Sequence, residues 1–339
     1  MTATRLSPPT VPGYTWRALC LDDAPALHQL ELDCEPADGG TDLSTVEQYR
    51  EKLQGAGQRL TTDTLCAADS AGRLAASAWV TCDVHLRHEY RFFLDGRVHS
   101  EYRGRGLGSF VLQWMETRAR RILTAQKEDR PSVLRLDFYD RSDDALDLFE
   151  RHGFRFAFAE DEMMRDLSLP MPAVQLPDGM SLVTWGSQRA SLFFNVYQDA
   201  FREGPGFPHW SEEVWVHNLT GGASFRPELS LLMLQGAEPV GFAACHVETE
   251  GAQDPAEVGW IAELGVRPAW RRRGLGSAVL NEVMRRFQAE GLLWAALAVN
   301  IDSDSALGLY QRLGFERWKR RTSYQKAVGS HPLRDGESP

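Results

Sequence analysis

The chain has little that would hold it in a membrane, in an oxidising compartment or on nucleic acid. Its longest apolar run, residues 292–299, is far shorter than the roughly 20 residues a spanning helix needs. Residues 1–13 hold one arginine, three prolines and no apolar stretch, so no secretory signal is expected there. The five cysteines (Cys20, Cys34, Cys66, Cys82 and Cys245) are odd in number and form no C-x-x-C pair. That argues against a disulfide framework or a zinc knuckle and for reduced thiols in a cytoplasm. Cys82 and Cys245 lie in apolar, strand-like runs, where a thiol acts as a small buried hydrophobe. A basic excess is missing too. The formal net charge of −10 argues against nucleic acid, because binding phosphates along a strand needs a basic face. It leaves room for a local basic site for a phosphorylated cofactor, and it suits cationic amines as well as plain surface solvation.

What is present is a glycine-rich loop, and it occurs twice. Arg271-Arg272-Arg273-Gly274-Leu275-Gly276-Ser277 opens one long amphipathic run, and Arg103-Gly104-Arg105-Gly106-Leu107-Gly108-Ser109 opens another. Small residues let successive backbone N–H groups converge on an anion, and the following helix adds its positive end and its unpaired N–H groups. Each loop reads as a pyrophosphate cradle. Three adjacent arginines at a helix start oppose the helix dipole, a conflict that a bound polyanion would resolve.

The rest of the chain repeats with the loops. The helical runs 107–125 and 275–290, and the short buried strands 133–138 and 294–299, answer each other. So do Ala145-Leu146-x-Leu148-Phe149-x-x-x-Gly153-Phe154 and Ala306-Leu307-x-Leu309-Tyr310-x-x-x-Gly314-Phe315, each a helix ended by a glycine cap. Upstream, strands are expected at 65–69, 74–84 and 91–98, and again at 229–235, 240–248 and 260–266, with turns at 70–73 and 236–239. Paired helices are expected before each set, near 24–33 and 44–54, then near 188–201 and 211–218. A last strand is expected near 162–166 and near 322–327, each closing its own half. The fold class is α/β (α+β): two tandem domains, each one mixed central sheet flanked by helices. The expected division is an N-terminal tail 1–13, a domain 14–166, a proline-rich linker 167–179, a domain 180–327 and a polar tail 328–339.

The R-x-x-G-x-G loop and the later A-x-x-L-[YF]-x-x-x-G-F block, in order and in both halves, resemble the GNAT superfamily of N-acetyltransferases. The tandem layout also resembles mycothiol synthase-like proteins. The resemblance implies acetyl-CoA as co-substrate and no metal. It places the acetyl-CoA pyrophosphate on Arg271, Arg272, Arg273, Gly274, Leu275, Gly276 and Ser277, and on Arg103, Gly104, Arg105, Gly106, Leu107, Gly108 and Ser109. It also implies a sheet that splays after the strand before the loop, with the pantetheine arm against Leu264, Gly265 and Val266. Gly265 is where a bulge is expected; Gly96, in the first half, falls one position early.

Acetyl transfer to an amine needs a base for the ammonium proton, an acid for the departing thiolate and an N–H for the thioester oxygen. Orientation of the two substrates makes a covalent enzyme intermediate unnecessary. The resemblance points to Glu263, three residues before Val266, as base and to Tyr310 as acid. A salt-bridged strand carboxylate and a packing aromatic are the competing readings of the two. In the first half Asp95 matches Glu263, but Phe149 replaces Tyr310 and cannot donate a proton; Tyr139 is a candidate substitute there. Serines 142 and 303 stand where the family often has asparagine, and helix capping explains both. His85, His88 and His99 lack a metal-ligand frame. His246 is a candidate for the second-half substrate gap. Phe207, His209, Trp210 and Trp215 are either an acceptor wall or a helix core. The expected enzyme transfers an acetyl group to the amine of a small molecule or an amino terminus, with chemistry in the second half. The alternatives are two active halves, or a CoA-ester-binding sensor or scaffold without turnover. Neither nucleic acid nor membrane is an expected partner, and the chain is expected to be a monomer or homodimer.

Overall fold

A computed structural model describes residues 11–328 except 39–42, 84–85, 87–88, 127–129, 140–142, 203–206 and 249–257. His85, His88, Ser142 and most of both tails lie outside the described residues. The chain divides into two compact units, one of residues 1–158 and 321–336 and the other of residues 159–320 and 337–339.

In the first unit, β1 (Thr15–Arg17), α1 (Ala24–Asp38), α2 (Val46–Ala56) and the short α3 (Leu60–Asp63) precede the strands β2 (Thr64–Ala68), β3 (Leu74–Asp83) and β4 (Tyr90–Val98). Then come α4 (Leu107–Thr124), β5 (Ser132–Tyr139) and α5 (Asp143–Arg151). Thr45 caps α2 by accepting from the Gln48 N–H, and Gln48 returns a bond to the Thr45 N–H, which satisfies two otherwise orphan donors. α4 buries Leu107, Val111, Met115 and Ala119, a four-residue rhythm that puts one stripe against the sheet.

The rest of the chain repeats the plan. β6 (Arg155–Asp166) is followed by β7 (Met180–Thr184), α6 (Ala190–Phe201), α7 (Glu212–Thr220), β8 (Leu231–Gln235), β9 (Glu238–Glu248), β10 (Val258–Val266), α8 (Leu275–Ala289), β11 (Trp294–Asn300), α9 (Asp304–Arg312) and β12 (Glu316–Val328). α8 buries Leu275, Val279, Val283 and Phe287 with the same rhythm. The turn between β8 and β9 is tighter than 236–239. Gln235 already pairs with Glu238, and Pro239 lies in the strand opposite Leu234.

Both closing strands exist, but neither closes the sheet of its own half. The 321–328 part of β12 pairs antiparallel with β5, from Arg321 opposite Tyr139 to Val328 opposite Ser132. The 160–166 part of β6 pairs antiparallel with β11, from Glu160 opposite Asn300 to Asp166 opposite Trp294. The first unit's sheet therefore runs β1-β2-β3-β4-β5-β12 and the second's runs β6-β11-β10-β9-β8-β7. A matching cation fastens each exchanged strand. Lys326, opposite Leu134, donates to the His152 carbonyl and to Glu116 Oε2, both at 2.7 Å. Arg165, opposite Ala295, donates to the Leu313 carbonyl and, at 2.8 Å, to the Pro170 carbonyl. His152 and Leu313 each precede a left-handed glycine, Gly153 at φ 80° and Gly314 at φ 84°, where helix-end carbonyls lack partners.

Candidate active site

β10 leads out of the second sheet. It pairs in parallel with β11 only from Val258 opposite Trp294 to Ile261 opposite Leu297, yet it runs on to Val266 beside β9, which stays paired to Gly241. The two parallel strands thus part after Ile261. The β9–β10 register shifts between Ile261 and Glu263, so Ala262 is in register with neither neighbour, and it is exposed. The bulge is here and not at Gly265, which sits in regular register opposite Phe242. Gly265 is glycine for a different reason: a Cβ there would lie 2.7 Å from Phe242 Cε1 and 2.9 Å from Ala200 Cβ. Gly96 is not its counterpart, since a Cβ on Gly96 would meet Met115 Cε at 2.9 Å, on α4. Along β4 no register shift interrupts the pairing with β3.

Past β10 the loop turns into α8. Gly274 caps that helix at φ 77° with no side-chain bond, and Arg272 holds φ 60°, a left-handed conformation that costs a non-glycine residue about 1 kcal/mol. The first loop has the same backbone, with Gly104 at φ 74° and Gly106 at φ 82°. Among the described residues, the N–H groups of Arg272 through Ser277, and of Gly104 through Ser109, have no hydrogen-bond acceptor. A Cβ on Gly104, Gly106 or Gly274 would meet nothing within 4 Å. Open space above a row of unpaired N–H groups at a helix start fits a phosphate group.

The arginines divide the work. Arg271 braces the loop by donating to the carbonyls of Val266 at 3.2 Å and Ala200 at 2.7 Å. Arg103 does the same toward Val98 at 3.2 Å and Asp38 Oδ2 at 2.9 Å. Arg273 lies 4.7 Å over the Trp270 ring and Arg105 lies 5.1 Å over Tyr102. Arg272 points into solvent. The dipole conflict is thus eased largely by the chain's own carbonyls and rings.

Glu263 follows the bulge. Trp215 Nε1, on α7, donates to both of its carboxylate oxygens, at 3.1 and 3.2 Å. Burial pushes the carboxyl up to about 8, and the Trp215 bond opposes that shift only in part. Tyr310, on α9, is 8% exposed and edges the Phe315 ring at 6.1 Å. Its hydroxyl has no hydrogen-bond partner among the described residues, and burial pushes it up to about 12. Ser303 stands at the cap position of α9 but makes no side-chain capping bond. The α9 start is held by its carbonyl instead, which accepts from Ala306 and Leu307.

The first half differs at each of these points. Asp95 is exposed, and the Lys52 ammonium 2.7 Å away holds it below the usual carboxylate range. Phe149 packs against Phe138, Phe154 and Tyr324 at 5.5 to 6.4 Å. His99 is buried, with Nε2 3.1 Å from Asp33 and Nδ1 accepting from the Glu101 N–H. Among the described residues no group of three or more His, Cys, Asp or Glu could hold a metal, and no helix is long and apolar enough to cross a membrane. The five cysteines are free thiols.

Residues 192–315 match the Acetyltransferase (GNAT) family, and residues 61–156 match the Acetyltransferase (GNAT) domain. The chain belongs to the GNAT acetyltransferase family. It is similar to a mycothiol acetyltransferase of Thermobispora bispora, at 29% identity over 68% of this chain and 74% of that one. A GCN5-related N-acetyltransferase from Sphaerobacter thermophilus has a TM-score of 0.76 at 27% identity, covering 97% of this chain and 99% of its own. A tandem GNAT protein from the clavulanic acid biosynthesis pathway shares the fold, with a TM-score of 0.66 at 16% identity over 94% and 100% of the two chains. This GNAT chain is therefore an acetyltransferase built from two GNAT folds in tandem.

Sequence reasoning missed three parts of the site: the indole that holds Glu263, the bulge at Ala262 and Tyr197, whose hydroxyl is raised by burial and by the Glu263 charge. Trp215 was legible as an acceptor wall or a helix core, but not as the donor to Glu263. Its contact crosses 48 positions of sequence, and no local spacing encodes that.

Proposed function

We propose that this GNAT protein moves an acetyl group from acetyl-CoA directly to the amine of a small molecule or a peptide amino terminus, and that it does so in its second half. The observation that carries the reading is a carboxyl raised to about 8 on a strand that parts from its neighbour, just before a loop whose N–H groups lack acceptors. Leu264, Gly265 and Val266 would hold the pantetheine arm, and Arg272 to Ser277 the diphosphate. Acetyl-CoA supplies the activated thioester. Glu263 takes a proton from the incoming ammonium, the N–H of Ala262 faces the carbonyl oxygen, and Tyr310 gives its proton to the sulfur. The mycothiol acetyltransferases to which the chain is similar support an amine of small-molecule size.

The test is Gly274→Glu. The new side chain meets no clash at its Cβ, but it places bulk and negative charge where the phosphates would sit. Charge-assisted hydrogen bonds are worth about 1.5–3 kcal/mol each, and each 1.4 kcal/mol is tenfold. Losing two predicts acetyl-CoA binding weakened by about 10²-fold or more. Calorimetry on a chain already carrying Gly106→Glu isolates the second cradle; an unchanged affinity there counts against the assignment.

Tyr310→Phe separates one active centre from two. Its removal is expected to cut thiol release by about 10²-fold with acetyl-CoA affinity unchanged. Turnover above a tenth of the original would mean that the first half works without an acid at Phe149. The Asp95–Lys52 ion pair favours a single centre, because a carboxylate neutralised by its own lysine is a poor base.

A further inference from the structure

The two halves carry different chemistry where the acceptor amine would arrive. Glu263 meets the Trp215 ring, and Trp215 belongs to an apolar cluster rich in rings. Trp215 lies 5.1 Å from Tyr197 and 5.6 Å from Phe194, and Tyr197 lies 5.3 Å from Phe207, centroid to centroid. Trp215 and Tyr197 are buried, whereas Phe194 and Phe207 are half-buried and so have surface left to offer. The Tyr197 hydroxyl is the unsettled group. The residue is 4% exposed, its hydroxyl has no hydrogen-bond partner among the described residues, and the Glu263 charge acts on it directly. The hydroxyl itself keeps contact with solvent, so the polar head of a ligand can reach it and give it a partner.

The polar side chains nearby are already engaged. Gln198 donates to the Trp210 carbonyl at 3.4 Å, Ser224 pairs with His246 Nδ1 at 3.2 Å, and Arg226 turns back on the Ala223 and Phe225 carbonyls at 2.8 and 3.3 Å. Among the described residues that leaves the Glu263 carboxyl, the Tyr197 hydroxyl and the unpaired Trp210 indole N–H for the head of an acceptor, and aromatic faces for its body. The first half shows the same recognition made by the chain itself. Lys52, a primary alkylammonium, sits 2.7 Å from Asp95, the counterpart of Glu263, and 4.9 Å over the Trp79 ring. A carboxylate beside an aromatic face is a good receptor for such a cation.

We propose that the acceptor is a primary alkylamine on a flat apolar body, its amine held between Glu263 and the Tyr197 hydroxyl and its body laid on Phe194 and Phe207, and not a polyhydroxylated amine. This rests on the reading of Glu263 as the base in the second half. Tyr197 is here a positioning residue: its hydroxyl orients the amine and takes no proton in the transfer. Glu263 takes one proton from the ammonium, the freed amine nitrogen forms the new C–N bond, and the thioester C–S bond breaks as the sulfur takes the Tyr310 proton. The second nitrogen proton, released as the amide forms, returns the Tyr310 phenolate to its hydroxyl.

The experiment measures kcat/KM by thiol release for the full chain with acetyl-CoA and four amines: 2-phenylethylamine, tryptamine, butylamine and glucosamine. The expected result is an arylalkylamine preferred over glucosamine by at least about 10-fold, the scale on which apolar contacts discriminate. Tyr197→Phe is expected to raise the KM for 2-phenylethylamine about 10-fold with the acetyl-CoA KM unchanged, and Phe207→Ala to raise it more for 2-phenylethylamine than for butylamine. Glucosamine equal to or better than the arylalkylamines overturns the proposal, as does an absence of turnover with all four. The parent reading is judged separately. If Glu263→Gln abolishes turnover of whichever amine is best, Glu263 stands as the base even when that amine is glucosamine. If Glu263→Gln leaves turnover intact, the reading of the site falls, and this proposal with it.

Discussion

Replacing Glu263 by glutamine is expected to lower kcat by about 10²- to 10⁴-fold, the range general-base catalysis supplies, with little change in acetyl-CoA binding. The pH profile gives the sharper readout. Burial puts the Glu263 carboxyl at about 8, so it is largely protonated at neutral pH and becomes a base only as pH rises. Wild-type activity should therefore climb about tenfold per unit below that value and level off above it, and the variant should lose this limb. Stability moves in the opposite direction. Because the folded group holds its proton to a higher pH than an unfolded glutamate, the native state binds more protons between the ordinary carboxylate range and about 8. Folding stability should thus fall with rising pH across that window, at about 1.4 kcal/mol per unit at most. Glu263→Gln, neutral throughout, should flatten that dependence. Thermal melts at several pH values check this independently of any substrate, and a wild-type curve no steeper than that of the variant would show an ordinary carboxylate.

The contrast with Asp95 explains why one fold can carry a working base in one half and not in the other. In each half the second early helix sends a donor to the strand carboxylate. In the first it is the Lys52 ammonium at 2.7 Å, in the second the Trp215 indole at 3.1 and 3.2 Å. A charged donor stabilises the ionised form and removes its basicity; a neutral donor in buried surroundings leaves desolvation dominant. The difference lies in the partner and the surroundings and not in the carboxylate itself, which is why the alignment of Asp95 with Glu263 did not reveal it.

The repeat was legible for the same reason that its closure was not. Helices 107–125 and 275–290 and the strands around them follow from apolar spacing, and the structure has α4 over Leu107–Thr124 and α8 over Leu275–Ala289. The loops were readable because glycine at 104, 106 and 274 meets a backbone at positive φ. Strand pattern, however, states which face is buried and not which neighbour it meets. β6 and β12 have similar patterns and equivalent places in their halves, so nothing local distinguishes closing one's own sheet from closing the other. The bulge at Ala262 was equally silent, since alanine carries no bulge signal whereas the nearby Gly265 does.

Ending the chain after Arg320 is expected to unfold the first unit while sparing the second. The deletion removes the 321–328 strand that pairs with β5, the buried side chains of Tyr324 and Val328, and the Lys326 ammonium that neutralises Glu116. It leaves a buried carboxylate with the longer Arg120 contact at 3.4 Å in place of its 2.7 Å ammonium, and an apolar strand edge open to pairing. Against a domain stability of about 5–15 kcal/mol, such a loss is of the same order as the whole. The second unit keeps β6 on β11 and so should keep its fold. Hydrogen exchange read by mass spectrometry separates the two: amides of 132–139 should lose protection by orders of magnitude while those of 294–300 keep theirs. Closure of each half by its own last strand requires the reverse, with 294–300 exposed and 132–139 protected, and that outcome would refute the exchange. The consequence for catalysis follows directly. The proposed base on β10 and acid on α9 stand in a sheet whose last strand is made by the first half of the sequence, so residues 180–327 alone lack β6 and should not transfer acetyl groups, whereas a chain ending at Arg320 should.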